Sequence, residues 1–350
     1  MIKSNDINAT VAWESPSNLA IIKYWGKKGV QQPMNPNISF SLKNSVTRTK
    51  VSVKPSENPG FSFTLDGVKK DYFNEKIEIL LESAKSYLPF IRRHHLNIES
   101  SNNFPHSSGI ASSASSMSAL ALCITELHNI SMGKEHPFPD PVMASALARM
   151  GSGSACRSVY GGWTIWGEYT NMKNSSDMYA VPVVDFEIAD DFKTIQNAIL
   201  LIDTNKKKVS SSDGHQLMEE HPFKQARIKH ANDNIKILLE VLKEGNWTDF
   251  FEIAENEAMT LHGLMMNSSP SYTLMHPKSL EAIEIIKKAR NEKGLTVGFS
   301  MDAGPNIHLL YPKKEQKEVK LWIEKELVPL CAEGKVLYDM LGNGPKKIVI

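Results

Sequence analysis

Residues 102 to 116 read Asn102-Asn103-Phe104-Pro105-His106-Ser107-Ser108-Gly109-Ile110-Ala111-Ser112-Ser113-Ala114-Ser115-Ser116, and run directly into Met117-Ser118-Ala119-Leu120-Ala121-Leu122. A Pro, a Gly and a crowd of small hydroxyl residues before an apolar run predict a tight loop that opens a helix. Apolar residues at Ile110, Ala114, Met117, Ala121 and Ile124 follow helical spacing and predict a buried face. The first turn of a helix has unpaired backbone N–H groups and a partial positive charge. With Gly109, Ser112 and Ser113 letting an anion approach that backbone, the stretch is a phosphate site in outline.

Working outward, the chain has 350 residues, 41% of them hydrophobic, enough for more than one core. Its 40 basic and 39 acidic residues nearly cancel, which argues against nucleic-acid binding. The clusters Lys206-Lys207-Lys208 and Arg92-Arg93 read as solvated loop charges. Cys123, Cys156 and Cys331 are odd in number and lack metal-ligand spacing, so we expect reduced thiols and a cytoplasmic protein. The start lacks a signal-peptide core. The longest apolar run, within residues 117 to 127, is broken by Ser118, Thr125 and Glu126, so no membrane span is expected.

Short strands are expected at Thr10 to Trp13, Thr49 to Val53, Phe61 to Leu65 and His95 to Glu99, with a polar segment from Gln31 to Ser45. Helices are expected from Asn74 to Tyr87, after Pro141 to Met150, around Ile228 to Leu242, and over Trp247 to Leu264 and Lys278 to Arg290. Val297 to Met301 and Ile307 to Tyr311 flank Asp302-Ala303-Gly304-Pro305-Asn306 and predict a hairpin with Asp302 at a strand end. Strands and helices without regular βαβ alternation predict an α+β fold. Irregular residues 167 to 190 suggest two domains, 1–190 and 191–350.

Four segments carry a family resemblance: Ile22-Lys23-Tyr24-Trp25-Gly26-Lys27; Asn102 to Pro105 with Gly109 to Ala114; Gly151-Ser152-Gly153-Ser154-Ala155-Cys156-Arg157-Ser158; and Asp302 to Asn306. In this order they resemble mevalonate diphosphate decarboxylases of the GHMP kinase superfamily. The resemblance implies a two-domain GHMP kinase-like fold, with a ribosomal protein S5 domain 2-like first domain and a ferredoxin-like α/β sandwich second. It implies Asp302 as catalytic acid/base beside a substrate 3-hydroxyl, and active-site roles for Lys23 and Arg157. Tyr24, Lys27, Ser152, Ser154 and Ser211 are then substrate-binding. Asn103, Gly109, Ala111, Ser112 and Ser113 are nucleotide-binding, with Ser113 also meeting Mg²⁺.

These residue types suit those roles. A lysine in the apolar stretch Leu19 to Trp25 needs an anionic partner or a route to water, and near Asp302 it would hold that carboxylate ionised. The planar fork of Arg157 can grip a carboxylate in two places. Cys156 reads as a packing residue rather than a nucleophile, and His262 as a structural helical histidine. The sequence departs from the family at His106-Ser107-Ser108, at Ser115-Ser116 and at His215. Lys76 stands nearest the family's phosphate-contacting Arg. The implied activity is ATP- and Mg²⁺-dependent decarboxylation of mevalonate 5-diphosphate by a homodimer. A phosphomevalonate decarboxylase or a mevalonate 3-kinase is the alternative on the same fold.

Overall fold

In the computed structural model, which describes residues 5–104, 110–205 and 209–350, the first long strand is Ala9–Ala20 (β1). It runs antiparallel to Asn37–Pro55, with a register shift between Pro16 and Asn18. Proline has no N–H to give the ladder, so the shift falls where pairing must lapse. The bulge divides the strand. Val11 and Trp13 pack in one core, whereas Leu19 packs in another.

The short pair Lys27–Lys28 (β2) and Gln32–Pro33 (β3) separates β1 from Asn37–Pro55 (β4). Gly60–Leu65 (β5), Val68–Lys69 (β6), His94–Asn102 (β7), Trp163–Trp166 (β8) and Ala180–Pro182 (β9) complete most of the first sheet. Against it lie the helices Asn74–Ala84 (α1), Ser112–Ser131 (α2) and Pro141–Gly151 (α3). Val51, Leu96, Leu120, Ile124 and Leu147 fill the space between. The expected helical face of Ile110, Ala114, Met117, Ala121 and Ile124 is buried, each at 3% exposure or less. Helix α2 is in fact buried almost all round, because β1, β4 and α3 enclose it.

After the short helix Asp190–Lys193 (α4), the second sheet takes Gln196–Leu200 (β10), Gly298–Ser300 (β11), Ile307–Tyr311 (β12) and Val336–Met340 (β13), in the order β11-β12-β10-β13. Its helices are Ser211–Gln216 (α5), Lys224–Glu244 (α6), Trp247–Met266 (α7), Pro277–Lys293 (α8) and Gln316–Glu326 (α9). The expected hairpin forms, with Gly298 opposite Leu310 and Ser300 opposite His308. Asp302 follows directly. Lys346–Ile348 (β14) returns to the first sheet beside β1. Glu126 of α2 helps hold it there, accepting from Lys347 Nζ at 2.5 Å and Trp13 Nε1 at 2.6 Å.

The segment expected to be merely polar from Gln31 to Ser45 is mostly strand. Asn37, Ser39 and Ser41 are buried, which is tolerable because remote groups satisfy them. Ser39 meets Thr164 at 3.2 Å, Ser41 donates to the Gly342 carbonyl at 2.7 Å, and Asn37 accepts from Arg157.

Candidate active site

Of the expected site residues, all but Asn103 and Gly109 line one cavity of about 350 Å³. Lys23, just beyond β1, is 2% exposed. Its Nζ donates to Asp302 Oδ1 at 2.9 Å, to Ser300 Oγ at 2.9 Å and to the Ala20 carbonyl at 2.6 Å. Burial pulls the Lys23 pKa down, opposed by the Asp302 charge. A buried ammonium without those three acceptors would cost several kcal/mol.

Arg157 sits in a short 3-10 turn after α3 and is 3% exposed. Asn18 Oδ1 accepts from its Nε at 3.1 Å and Asn37 Oδ1 accepts from its Nη1. Both holders are amides, and among the described residues no ion pair to Arg157 is formed. Asn18 is itself fixed, donating to Ser158 Oγ at 2.8 Å and to the Ser154 carbonyl at 3.2 Å. The guanidinium is therefore a preorganised cation whose charge awaits an anion. Burial lowers its pKa, but an arginine stays protonated.

Lys27 and Lys76 line the same cavity. Burial depresses both, and the charge of Lys76 lowers Lys27 further. Four cationic side chains, Lys23, Lys27, Lys76 and Arg157, thus face the cavity, against Asp302 as the one acid lining it among the described residues. Coulomb repulsion makes that arrangement unfavourable until a polyanion enters. Tyr24 lies between the Trp166 and His215 rings at 4.6 and 4.3 Å, its buried hydroxyl without a hydrogen-bond partner among the described residues.

Ala111, at φ 48°, lines the same cavity, stands at the N-cap of α2 and has no side chain that could cap it. Ser112 and Ser113 open the helix, and Ser113 Oγ lies 3.2 Å from Ser152 Oγ. Ser152 ends α3, Ser154 follows in the turn, and Ser211 is exposed at the start of α5; all line the cavity. Gly109, like Lys206 to Lys208, falls outside the described residues. Asn103 does not line the cavity. Its side chain accepts from Val46 N–H at 2.9 Å and donates to the Asn44 carbonyl at 2.6 Å.

Sequence reasoning missed Asn18, Asn37 and Ser300. Only Asn18 had a local signal, lying at the bulge after Pro16. His215, where the family differs, is buried and neutral: burial, then Lys27, holds its pKa well below the ordinary value. Its Nδ1 accepts from Gly26 N–H at 3.0 Å, tying α5 to the Tyr24-Lys27 segment. Cys156 is buried, and burial pushes its thiol up to about 12, which suits a packing role.

Residues 15–180 match the family described as the diphosphomevalonate decarboxylase-like N-terminal domain, and residues 197–341 the mevalonate 5-diphosphate decarboxylase C-terminal domain. Diphosphomevalonate decarboxylase ERG19 of Gibberella zeae is 30% identical over 321 residues, covering 86% of this chain and 80% of that protein. The solved mevalonate diphosphate decarboxylase of Staphylococcus aureus superposes with a TM-score of 0.84 at 28% identity, over 98% of this chain and 99% of that one. A solved complex named MDDEF with MVAPP, AMPPCP and magnesium gives 0.81 at 28% identity, with the same coverage. With both halves matched in order around one polyanion cavity, the chain belongs to the diphosphomevalonate decarboxylase family.

Proposed function

We infer that this chain catalyses the ATP-dependent decarboxylation of mevalonate 5-diphosphate to isopentenyl diphosphate, with release of ADP, phosphate and carbon dioxide. The observation that carries the reading is the cavity's charge pattern: one carboxylate clamped by Lys23, facing a buried arginine and two lysines without ion-pair partners among the described residues. A substrate with a diphosphate at one end and a carboxylate at the other matches that pattern.

A tertiary alcohol leaves poorly, so its oxygen is phosphorylated first. Asp302 takes the 3-hydroxyl proton as that oxygen bonds to the γ-phosphorus and the bond to ADP breaks. Lys23 keeps Asp302 ionised and oriented. The carbon–oxygen bond at C3 then breaks, and phosphate leaves with the electron pair. The C1–C2 pair becomes the new double bond as carbon dioxide departs. Arg157 holds the carboxylate in line for that loss, and Tyr24, Lys27, Ser152, Ser154 and Ser211 hold the diphosphate end. Lys76, also on the wall, adds charge there. The α2 start with Ala111, Ser112 and Ser113 receives the ATP phosphates. Mg²⁺ supplies neutralising charge to those phosphates, and the neighbouring Ser113 and Ser152 hydroxyls offer the hard oxygen such an ion favours. We assign that contact to Ser113.

We further propose a division into two domains near residue 190, a homodimer and a cytoplasmic setting. The separate sheets and the two family matches support the first, with β14 returning to the first sheet. Three buried free thiols support the last. No helix among the described residues is long and apolar enough to cross a membrane. The deciding experiment supplies Mg-ATP with mevalonate, its 5-phosphate or its 5-diphosphate and follows ADP and carbon dioxide together. The 5-diphosphate is expected to be turned over far better. Equal turnover of the monophosphate would move the assignment to a phosphomevalonate decarboxylase, and ADP without carbon dioxide to a 3-kinase.

A further inference from the structure

Helix α7 reaches the Lys23–Asp302 couple from behind, through side chains that grip backbone rather than substrate. Glu257 Oε2 accepts from the Lys23 N–H at 2.8 Å. Glu255 Oε1 accepts from the Phe299 N–H at 3.3 Å, on the strand whose next residue, Ser300, receives the Lys23 ammonium. His262 Nε2 lies 3.2 Å from the Asp302 carbonyl oxygen. One helix thus touches both arms of the couple. The remaining backbone group of Lys23, its carbonyl, accepts from Arg227 Nη2 at 2.9 Å and from Asn35 Nδ2 at 3.1 Å.

Arg227 and Glu257 form a two-pronged pair at 2.7 and 2.8 Å, and Asn234 donates to Glu257 Oε1 at 2.8 Å. Glu257 is 0% exposed and Arg227 3%. A buried ion pair of this kind is often no more stable than apolar residues of the same volume. Stability alone is therefore a weak reason for it, whereas its geometry is specific: acid to the Lys23 amide, arginine to the Lys23 carbonyl.

We propose that Glu257, clasped by Arg227, is a positioning residue that sets the reach of Lys23 to Asp302 and keeps the Lys23 ammonium charged. The proposal rests on the reading of Lys23 and Asp302 given above. The groups facing Lys23 are Asp302, Glu257, Arg227 and Arg157, with His308 near Asp302, and Glu257 is faced in turn by Arg227, Asn234 and His230, whose Nδ1 lies 3.8 Å from Oε1. Burial opposes its charge, Asp302 and Glu257 favour it, and Arg157 opposes it. Burial also pushes the Glu257 carboxyl up, but Arg227, the Lys23 N–H and Asn234 outweigh that and leave its pKa below the ordinary value.

The test compares kcat and KM across pH in wild type, Glu257→Gln, Arg227→Met and the double variant. Glu257→Gln should lower kcat by at least about tenfold with KM shifts under about threefold, since alignment rather than binding is lost. Its alkaline limb should move to lower pH. Arg227→Met should move that limb to higher pH, because the remaining carboxylate favours the ammonium. The double variant leaves neither charge unpaired, so it keeps the test open if Glu257→Gln does not fold. Its limb should lie below that of Arg227→Met. Limbs that coincide across the variants, or that shift together, would overturn the proposal. Wild-type turnover tests the functional reading separately. The ¹⁵N shift of the Lys23 amine, titrated in the same proteins, reads the same displacement without any turnover.

Discussion

Replacing Arg157 with Met separates carboxylate grip from phosphoryl transfer. In the unliganded protein two opposing costs nearly cancel. Asn18 and Asn37 lose their donor, at about 1–3 kcal/mol for each stranded amide oxygen. Against this, an apolar side chain in place of a buried charged one commonly recovers about 1–4 kcal/mol. At mid-range the two stranded oxygens cost about 4 kcal/mol and the apolar side chain returns about 2.5, a net loss of roughly 1.5 kcal/mol and a melting shift of only a few degrees in a chain of this size. Turnover behaves differently. Removal of one preorganised charged contact to the reacting group costs about 10²–10³-fold in rate. Rapid-quench single turnovers should show ADP forming while carbon dioxide lags behind, since Asp302, Lys23 and the α2 start are untouched. Carbon dioxide released in step with ADP at near wild-type rate would refute the role given to Arg157. A melting drop beyond about 8 °C would refute the cancellation worked out here.

Two further predictions concern the other side of the couple. Asp302→Asn keeps shape but loses basicity, so rapid quench should find neither ADP nor carbon dioxide above about 1% of wild type. Carbon dioxide release within tenfold of wild type would mean that another group takes the hydroxyl proton. His308 is buried beside this couple, and burial lowers its pKa to about 4 from 6.5. As pH falls the unfolded chain takes that proton first, so the stability is whole above 6.5 and is lost between 6.5 and about 4. At about 1.4 kcal/mol per pH unit, the loss attributable to this histidine is roughly 3 kcal/mol. Urea unfolding of wild type and His308→Gln at the two ends of that window should show the variant losing less, and equal losses would disprove the assignment.

Much of the site was legible because its chemistry is local. A serine-rich loop before an apolar helical pattern, a lysine in an apolar stretch and an aspartate opening a Gly-Pro-Asn turn each carry their signal within a few residues. The resemblance then linked segments that lie nearly 300 positions apart in the chain, and Lys23 does meet Asp302 at 2.9 Å. The hairpin around Asp302 was likewise readable, since the turn residues and flanking apolar runs are adjacent.

What stayed hidden depends on partners far away in the chain. Asn37, Ser39 and Ser41 read only as part of a polar segment because their partners, Arg157, Thr164 and Gly342, lie more than a hundred residues on. Asn103 stands among the nucleotide-binding positions through the resemblance alone, and its contacts to Val46 and Asn44 of β4 lie more than fifty residues back in the chain. Glu257 and Arg227 look like solvated charges on two helices until α6 and α7 pack together and turn them inward onto Lys23. The sequence by itself determined which groups could donate, accept or carry charge, because that is covalent chemistry. Only the tertiary structure decided which of them would be buried and by whom each would be satisfied, because a buried polar group must find its partner across space rather than along the chain.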